Sequence, residues 1–142
     1  MNLMITRKRE IRNVPNGKHK GIIENLMIKD EVNGKKLILV VYVNHKGAVA
    51  KLYYTTYVSW YDDSSFIDLL KKFEILEDVG EDIDLSNLLT KPVNVKVENN
   101  SVNGKTYSNI KEIDLDKEEL KKIEKENNKK SKEAEEIFKD DE

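Results

Sequence analysis

The stretch Ala50–Phe73, AKLYYTTYVSWYDDSSFIDLLKKF, changes periodicity halfway along, and that change decides the fold. Its first part alternates. Ala50, Leu52, Tyr54, Thr56 and Val58 fall on one side of an extended chain and Lys51, Tyr53, Thr55 and Tyr57 on the other, because successive side chains of a strand point to opposite faces. From Asp62 the spacing becomes three and four, with Phe66, Leu69, Leu70 and Phe73 behind a run of Asp62, Asp63, Ser64 and Ser65. Those four are good N-cap residues, so a helix over about 64–75 follows a strand over about 48–59.

Working outward, KKLILVVYVNHKG reads as a strand over about 35–44, rich in β-branched residues, that turns at NHKG. Before it, GKHKGIIENLMIKD is a strand over about 18–29, joined to the next by a hairpin at Asn33–Gly34. The three form an antiparallel meander. On the far side of the helix, EILEDVGEDIDLSNLLTK is a loop with a short helical turn at 85–89, and PVNVKVEN alternates as a strand. A hairpin at Asn103–Gly104 leads into TYSNIKEIDL. Strand, strand, strand, helix, strand, strand is the order of the OB-fold, so the expectation is an all-β protein. The expected form is a five-stranded Greek-key barrel with one helix between strands 3 and 4, with another small five-stranded barrel or an α+β roll as the alternative. Gly21 in the long first strand supplies the bend by which that strand serves both halves of the barrel.

Charge is divided along the chain. Residues 1–60 hold eleven Lys and Arg against four Asp and Glu, or +7, and the remainder carries −9, for a net charge of −2. The segment 114–142 has twelve acidic residues, eight lysines and almost nothing to bury. It is expected to be a largely disordered charged tail from 116 onward, with nascent helix through its Glu-to-Lys spacings, following an ordered domain over 1–115.

Aromatic residues concentrate where the basic half ends. Four of six tyrosines and the single tryptophan lie between Ala50 and Asp63. Rings beside cations suit a polyanion with flat bases, namely nucleic acid. Candidate binding residues are Lys51, Tyr53, Tyr57 and Trp60, with Lys18, Lys20, Lys35, Lys36 and Lys46 to follow the phosphates. Arg7, Lys8, Arg9 and Arg12 of the leader extend the basic set. Cross-strand packing is the other use of the exposed tyrosines, and covering the barrel end the other use of Trp60.

Catalytic groups are scarce. The chain has no cysteine and two histidines, His19 and His45, so disulfides, thiol nucleophiles and cysteine-ligated metals are excluded. Asp62 and Asp63 are adjacent carboxylates in a capping position, and no glycine-rich phosphate loop or nucleophile elbow is present. A binding protein without cofactor or metal is expected rather than an enzyme. The N-terminus lacks the apolar stretch of a signal peptide and no window is long enough to span a membrane, so a cytoplasmic location is expected.

GKHKGIIENLMI, the meander, SFIDLLKKF and KPVNVKVENNSVNGKTYSNIKEI, closing on Tyr107, Asn109, Ile110 and Ile113, together resemble the small single-stranded DNA-binding proteins of phages and mobile elements of low-GC Gram-positive bacteria. The resemblance implies an OB-fold that coats single-stranded DNA in replication and recombination, as a homo-oligomer, inside a bacterial host cell. It also implies an acidic tail that recruits partner enzymes. Here the tail ends EEIFKDDE, so Ile137, Phe138, Asp140 and Asp141 are the candidate partner-binding residues, although the apolar pair is not terminal as it is in the familiar bacterial tail. Two other classes stay open: a small-barrel protein-interaction module, in which Tyr53, Tyr57 and Trp60 form the contact, and an RNA-binding barrel.

Overall fold

The computed structural model describes residues 3–125. Its chain order is β1 (Glu10–Ile11), β2 (Gly17–Glu31), β3 (Gly34–His45), β4 (Ala48–Tyr57), α1 (Ser65–Lys72), a 3-10 turn (Leu85–Leu88), β5 (Pro92–Val102) and β6 (Lys105–Leu115). A second helix, α2, occupies 117–125. The six strands form one sheet in the order β1-β4-β3-β2-β5-β6, so the fold is mostly β, as expected. None of the helices among the described residues is long and apolar enough to cross a membrane.

The closed five-stranded barrel is not what forms. The sheet is open: β6 comes within contact distance of β4, yet no ladder joins them among the described residues. The sixth strand is β1, a two-residue segment inside the basic leader that pairs in parallel with Val49 and Ala50 on the outer edge of β4. Sequence patterning is silent on a strand this short, because two residues show no period.

β2 organises the sheet. Its later part, Gly21–Glu31, pairs with β3, while Gly17–Ile22 pairs with β5 on the opposite edge. A bulge between Ile23 and Asn25 bends the strand where the two ladders overlap, and the Ile23 backbone turns instead to the Thr90 amide and the Lys91 carbonyl. At Gly21 the neighbouring chain lies so close that a Cβ would stand 2.8 Å from the Tyr42 carbonyl oxygen and 3.0 Å from Val41 Cγ1. Only glycine fits there without displacing β3.

The hairpins are tight. Lys46–Gly47 and Asn103–Gly104 are two-residue turns with positive φ at both positions. The first hairpin is shifted by one residue from the expected place. Glu31 pairs with Gly34, so Val32 and Asn33 make the turn, and Gly34, at φ 122°, opens β3.

One face of the curled sheet is the core. Leu37, Leu39, Val41 and Val43 of β3 alternate inward opposite Ala50 and Leu52 of β4, with Val93, Val95 and Val97 of β5 beyond. Phe66, Ile67, Leu69 and Leu70 of α1 close over them, with Leu88 of the 3-10 turn. The helix starts where its sequence signals it, for Ser64 Oγ accepts from the Ile67 amide at 3.1 Å. It ends earlier than the apolar spacing implies. Glu74 adopts φ 59°, its amide bonds the Lys71 carbonyl, and the Ile75 amide bonds that of Leu70, a left-handed C-terminal cap made without glycine.

The first described residues of the expected tail, 117–125, are helical as α2. Asp116 is buried, receives the Glu119 amide on its carboxylate at 3.1 Å as N-cap, and pairs with Lys20 Nζ at 3.1 Å. The Glu119 amide, with Lys20 behind it, holds the Asp116 carboxyl below the usual carboxylate range against the opposing pull of burial. Ile137, Phe138, Asp140 and Asp141 lie outside the described residues.

Two outcomes follow. Gly21→Ala should lower stability by about 1–3 kcal/mol, the cost of forcing an extra carbon into a packed site, measured as a shift of the urea midpoint at unchanged m-value. The depressed Asp116 pKa contributes stability above the unfolded carboxylate pKa that is lost as pH falls through the lower, folded value. Asp116→Asn should therefore flatten the acid limb of the stability curve, below about pH 4 by the ordinary carboxylate range, while leaving its slope near neutrality unchanged.

Candidate nucleic-acid interface

β4 separates its two faces as its alternation requires. Ala50, Leu52 and Thr56 are buried and Tyr54 is half-buried against the core, while Lys51, Tyr53, Thr55 and Tyr57 point outward. Across the ladder on β3, exposed Tyr42 pairs with Lys51, buried Val40 with Tyr53 and half-buried Lys36 with Tyr57.

Two grooves meet on this surface. The first, about 430 Å³, lies along β1 and is lined by Glu10, Ile11, Arg12, Tyr42, Val49 and Lys51. The second, about 550 Å³, fills the opening between β4 and β6, where Arg12, Lys51 and Tyr53 face Lys105, Tyr107 and Asn109. Arg12 and Lys51 border both, so the two grooves adjoin and are treated together as one basic channel. Along it stand three exposed tyrosines, Tyr42, Tyr53 and Tyr107, and three cations, with Glu10 the one carboxylate in either lining.

Arg12 is held by the segment behind it. Val14 is buried, its amide bonds Ser108 Oγ at 3.1 Å, and its carbonyl accepts from Asn99 Nδ2 at 2.8 Å. Asn13 Oδ1 accepts from the Ser108 amide at 3.1 Å and Asn16 Oδ1 from the Asn99 amide at 2.8 Å. Ser108 Oγ also bonds Asn99 Oδ1. The leader is thus tied across the β5–β6 hairpin immediately after it leaves β4.

The other candidates lie apart from this channel. Tyr57 is exposed, but its hydroxyl donates to Glu31 at 2.9 Å, which raises the phenol pKa, and Lys36 sits 5.9 Å over its ring, 3.7 Å from the same carboxylate. That cluster has already neutralised its own cation. Lys20 is engaged by Asp116, and Lys18 lines a small cleft with Lys96, Glu112 and Asp114. Lys35 and Lys46 are exposed at opposite ends of β3. The histidines meet edge to face at 5.5 Å, with His19 Nε2 2.7 Å from the Pro15 carbonyl oxygen.

Trp60 lies elsewhere too. It is 65% exposed, stacks edge-on against Phe66 at 5.4 Å, and borders a pocket of about 320 Å³ with Ile67, Leu76, Val79 and Ile83. The rim of that pocket is Asp62, Glu77, Asp78 and Glu81. An acid rim repels phosphate, so Trp60 is separated by charge from the basic channel.

Of the residues expected from the sequence, Lys51 and Tyr53 line this channel, and Tyr42, Lys105 and Tyr107, which line it too, were not among the binding candidates. Tyr42 is hidden in an apolar run, and Tyr107 reaches β4 only through the curl of the sheet. No protein-family model matches the chain, and no curated protein matches it. Asn99→Ala should loosen the leader. Losing a net hydrogen bond of about 1 kcal/mol should speed amide exchange at Val14 several-fold, with β3 amides unchanged.

Proposed function

We propose that the protein binds single-stranded DNA without sequence preference, in the channel that runs from β1 through the β4–β6 opening. The observation that carries this is the grouping of three exposed tyrosines with Arg12, Lys51 and Lys105 along two adjoining grooves. Rings accept any base by stacking, and cations at intervals neutralise the backbone between them. The role of Tyr53 and Lys51 expected from the alternation of β4 is retained, and Tyr42, Tyr107, Arg12 and Lys105 join them. Tyr57 and Trp60 are left out of the proposed contact, for Glu31 already engages the Tyr57 hydroxyl and Lys36, and the rim around Trp60 is acidic.

The strand connections support reading the sheet as an OB-type fold opened along one seam. β2 is shared by β3 and β5, and the helix α1 falls between β4 and β5. In such folds oligonucleotides lie on the face of the second and third strands, here β3 and β4. A part in replication or recombination, of the phage type that the sequence resembles, is the setting we infer. RNA is the second reading, since stacking alone does not distinguish the sugar.

Fluorescence anisotropy with oligo-dT, oligo-rU and duplex DNA over a salt series tests this. Binding of oligo-dT tighter than duplex is expected. Tyr53→Ala with Tyr107→Ala should weaken it by roughly 1–3 kcal/mol per lost stack, with the melting temperature largely kept. Arg12→Ala and Lys51→Ala should each lower the salt slope by about 0.7, the value for one phosphate contact on a single strand. Equal affinity in a folded double variant would exclude the channel as the site, and preference for oligo-rU would turn the assignment to RNA.

A further inference from the structure

The Trp60 pocket has the opposite character to the channel. It exposes Trp60, Leu76 and Val79 inside a rim of Glu77, Asp78 and Glu81, on the side of α1 and the loop after it. Val79 is fully exposed and Leu76 more than one-third exposed, so the patch is apolar surface facing solvent. Such a patch inside a ring of one charge fits a partner with an apolar anchor flanked by the other charge.

The chain itself carries such a segment. Leu3 and Ile5 are 82% and 96% exposed, and Arg7, Lys8 and Arg9 follow immediately. Anchor and cations therefore sit within seven residues, on a leader that presents them to solvent.

The leader's own pocket is badly placed for it. β1 runs parallel to β4 with Glu10 beside Val49, and the Val49 amide donates to the Arg9 carbonyl at 2.9 Å. Residues 3–9 therefore leave from the Ala48 end of β4, whereas Trp60 lies three residues past its Tyr57 end. Val49 to Tyr57 spans about 26 Å at strand rise, and seven residues reach about 24 Å when fully extended. The leader would have to reverse and still fall short.

We infer that the leader of one molecule docks in the Trp60 pocket of a second copy, with Leu3 and Ile5 against Trp60 and Val79 and Arg7–Arg9 against the acid rim. The contact is head to tail, since leader and pocket are different surfaces of the same chain, and it repeats from copy to copy unless the rotation closes a ring. It does not depend on the binding of nucleic acid.

Trp60 is the only tryptophan, so its emission reports on this pocket alone. Full-length protein without nucleic acid would be followed by sedimentation velocity and by Trp60 emission over the same concentration range. The expected result is a sedimentation coefficient that rises with concentration while the emission moves to shorter wavelength. Leu3→Asp with Ile5→Asp should weaken association at least about tenfold, the effect of losing one well-buried apolar side chain, and leave the emission that of an exposed indole. Arg7→Glu, Lys8→Glu and Arg9→Glu should weaken it, as should Glu77→Lys, Asp78→Lys and Glu81→Lys, and the two sets combined in one chain should restore it. A wild-type protein that stays monomeric with constant emission overturns the inference. So does association that survives Leu3→Asp with Ile5→Asp. Emission that is blue-shifted at every concentration and reddened by the leader changes would place the leader in its own pocket, and so overturn docking between copies.

Discussion

At Gly21 two backbones come closer than any side chain permits, and the rest of the sheet depends on that approach. β2 there hydrogen-bonds β3 on one edge and β5 on the other, and the bulge beyond Ile23 turns it from one ladder toward the other. With one strand shared, the β3–β4 hairpin and the β5–β6 hairpin become the two flanks of a single curled sheet, and α1 has a concave apolar face to cover. The curl also brings Tyr107 and Lys105 opposite Lys51 and Tyr53, which are far apart in sequence.

How much of this was legible in the sequence differs by range. The alternation of Ala50–Val58 gave the correct inward and outward residues, because one face of β4 is buried and a slip of one position would expose Leu52 and bury Lys51. The order of elements and the N-cap at Ser64 were equally plain, being local. Closure of the barrel was not legible, since whether β4 meets β6 depends on curvature, which has no signature in either strand. The hairpin at Val32–Asn33 was misplaced by one residue because Asn33–Gly34 imitates a two-residue turn, whereas Gly34 follows it. Asp116 looked like the first acid of a tail and is a cap on α2, joined to Lys20 ninety-six residues earlier. Among the site residues, composition could group the tyrosines of 50–63 but could not say that the charges near Trp60 and Tyr57 differ in kind from those near Tyr53.

That difference divides the surface. Cations of the basic half collect at the channel through Arg12 and Lys51, while the acids of the loop 76–84 surround Trp60. A net charge near zero thus conceals two surfaces of opposite sign, each with its own exposed rings. Arg12 lines the basic channel, and the Asn13–Asn16 segment after it is tied to Asn99 of β5 and Ser108 of β6.

The seam between β4 and β6 has a topological consequence for any polymer held in it. A closed ring of protein around a strand must be threaded from a free end or broken to load. A channel open along its length, loaded as we propose, would admit a strand sideways, so circular molecules and gaps flanked by duplex would be as accessible as free ends.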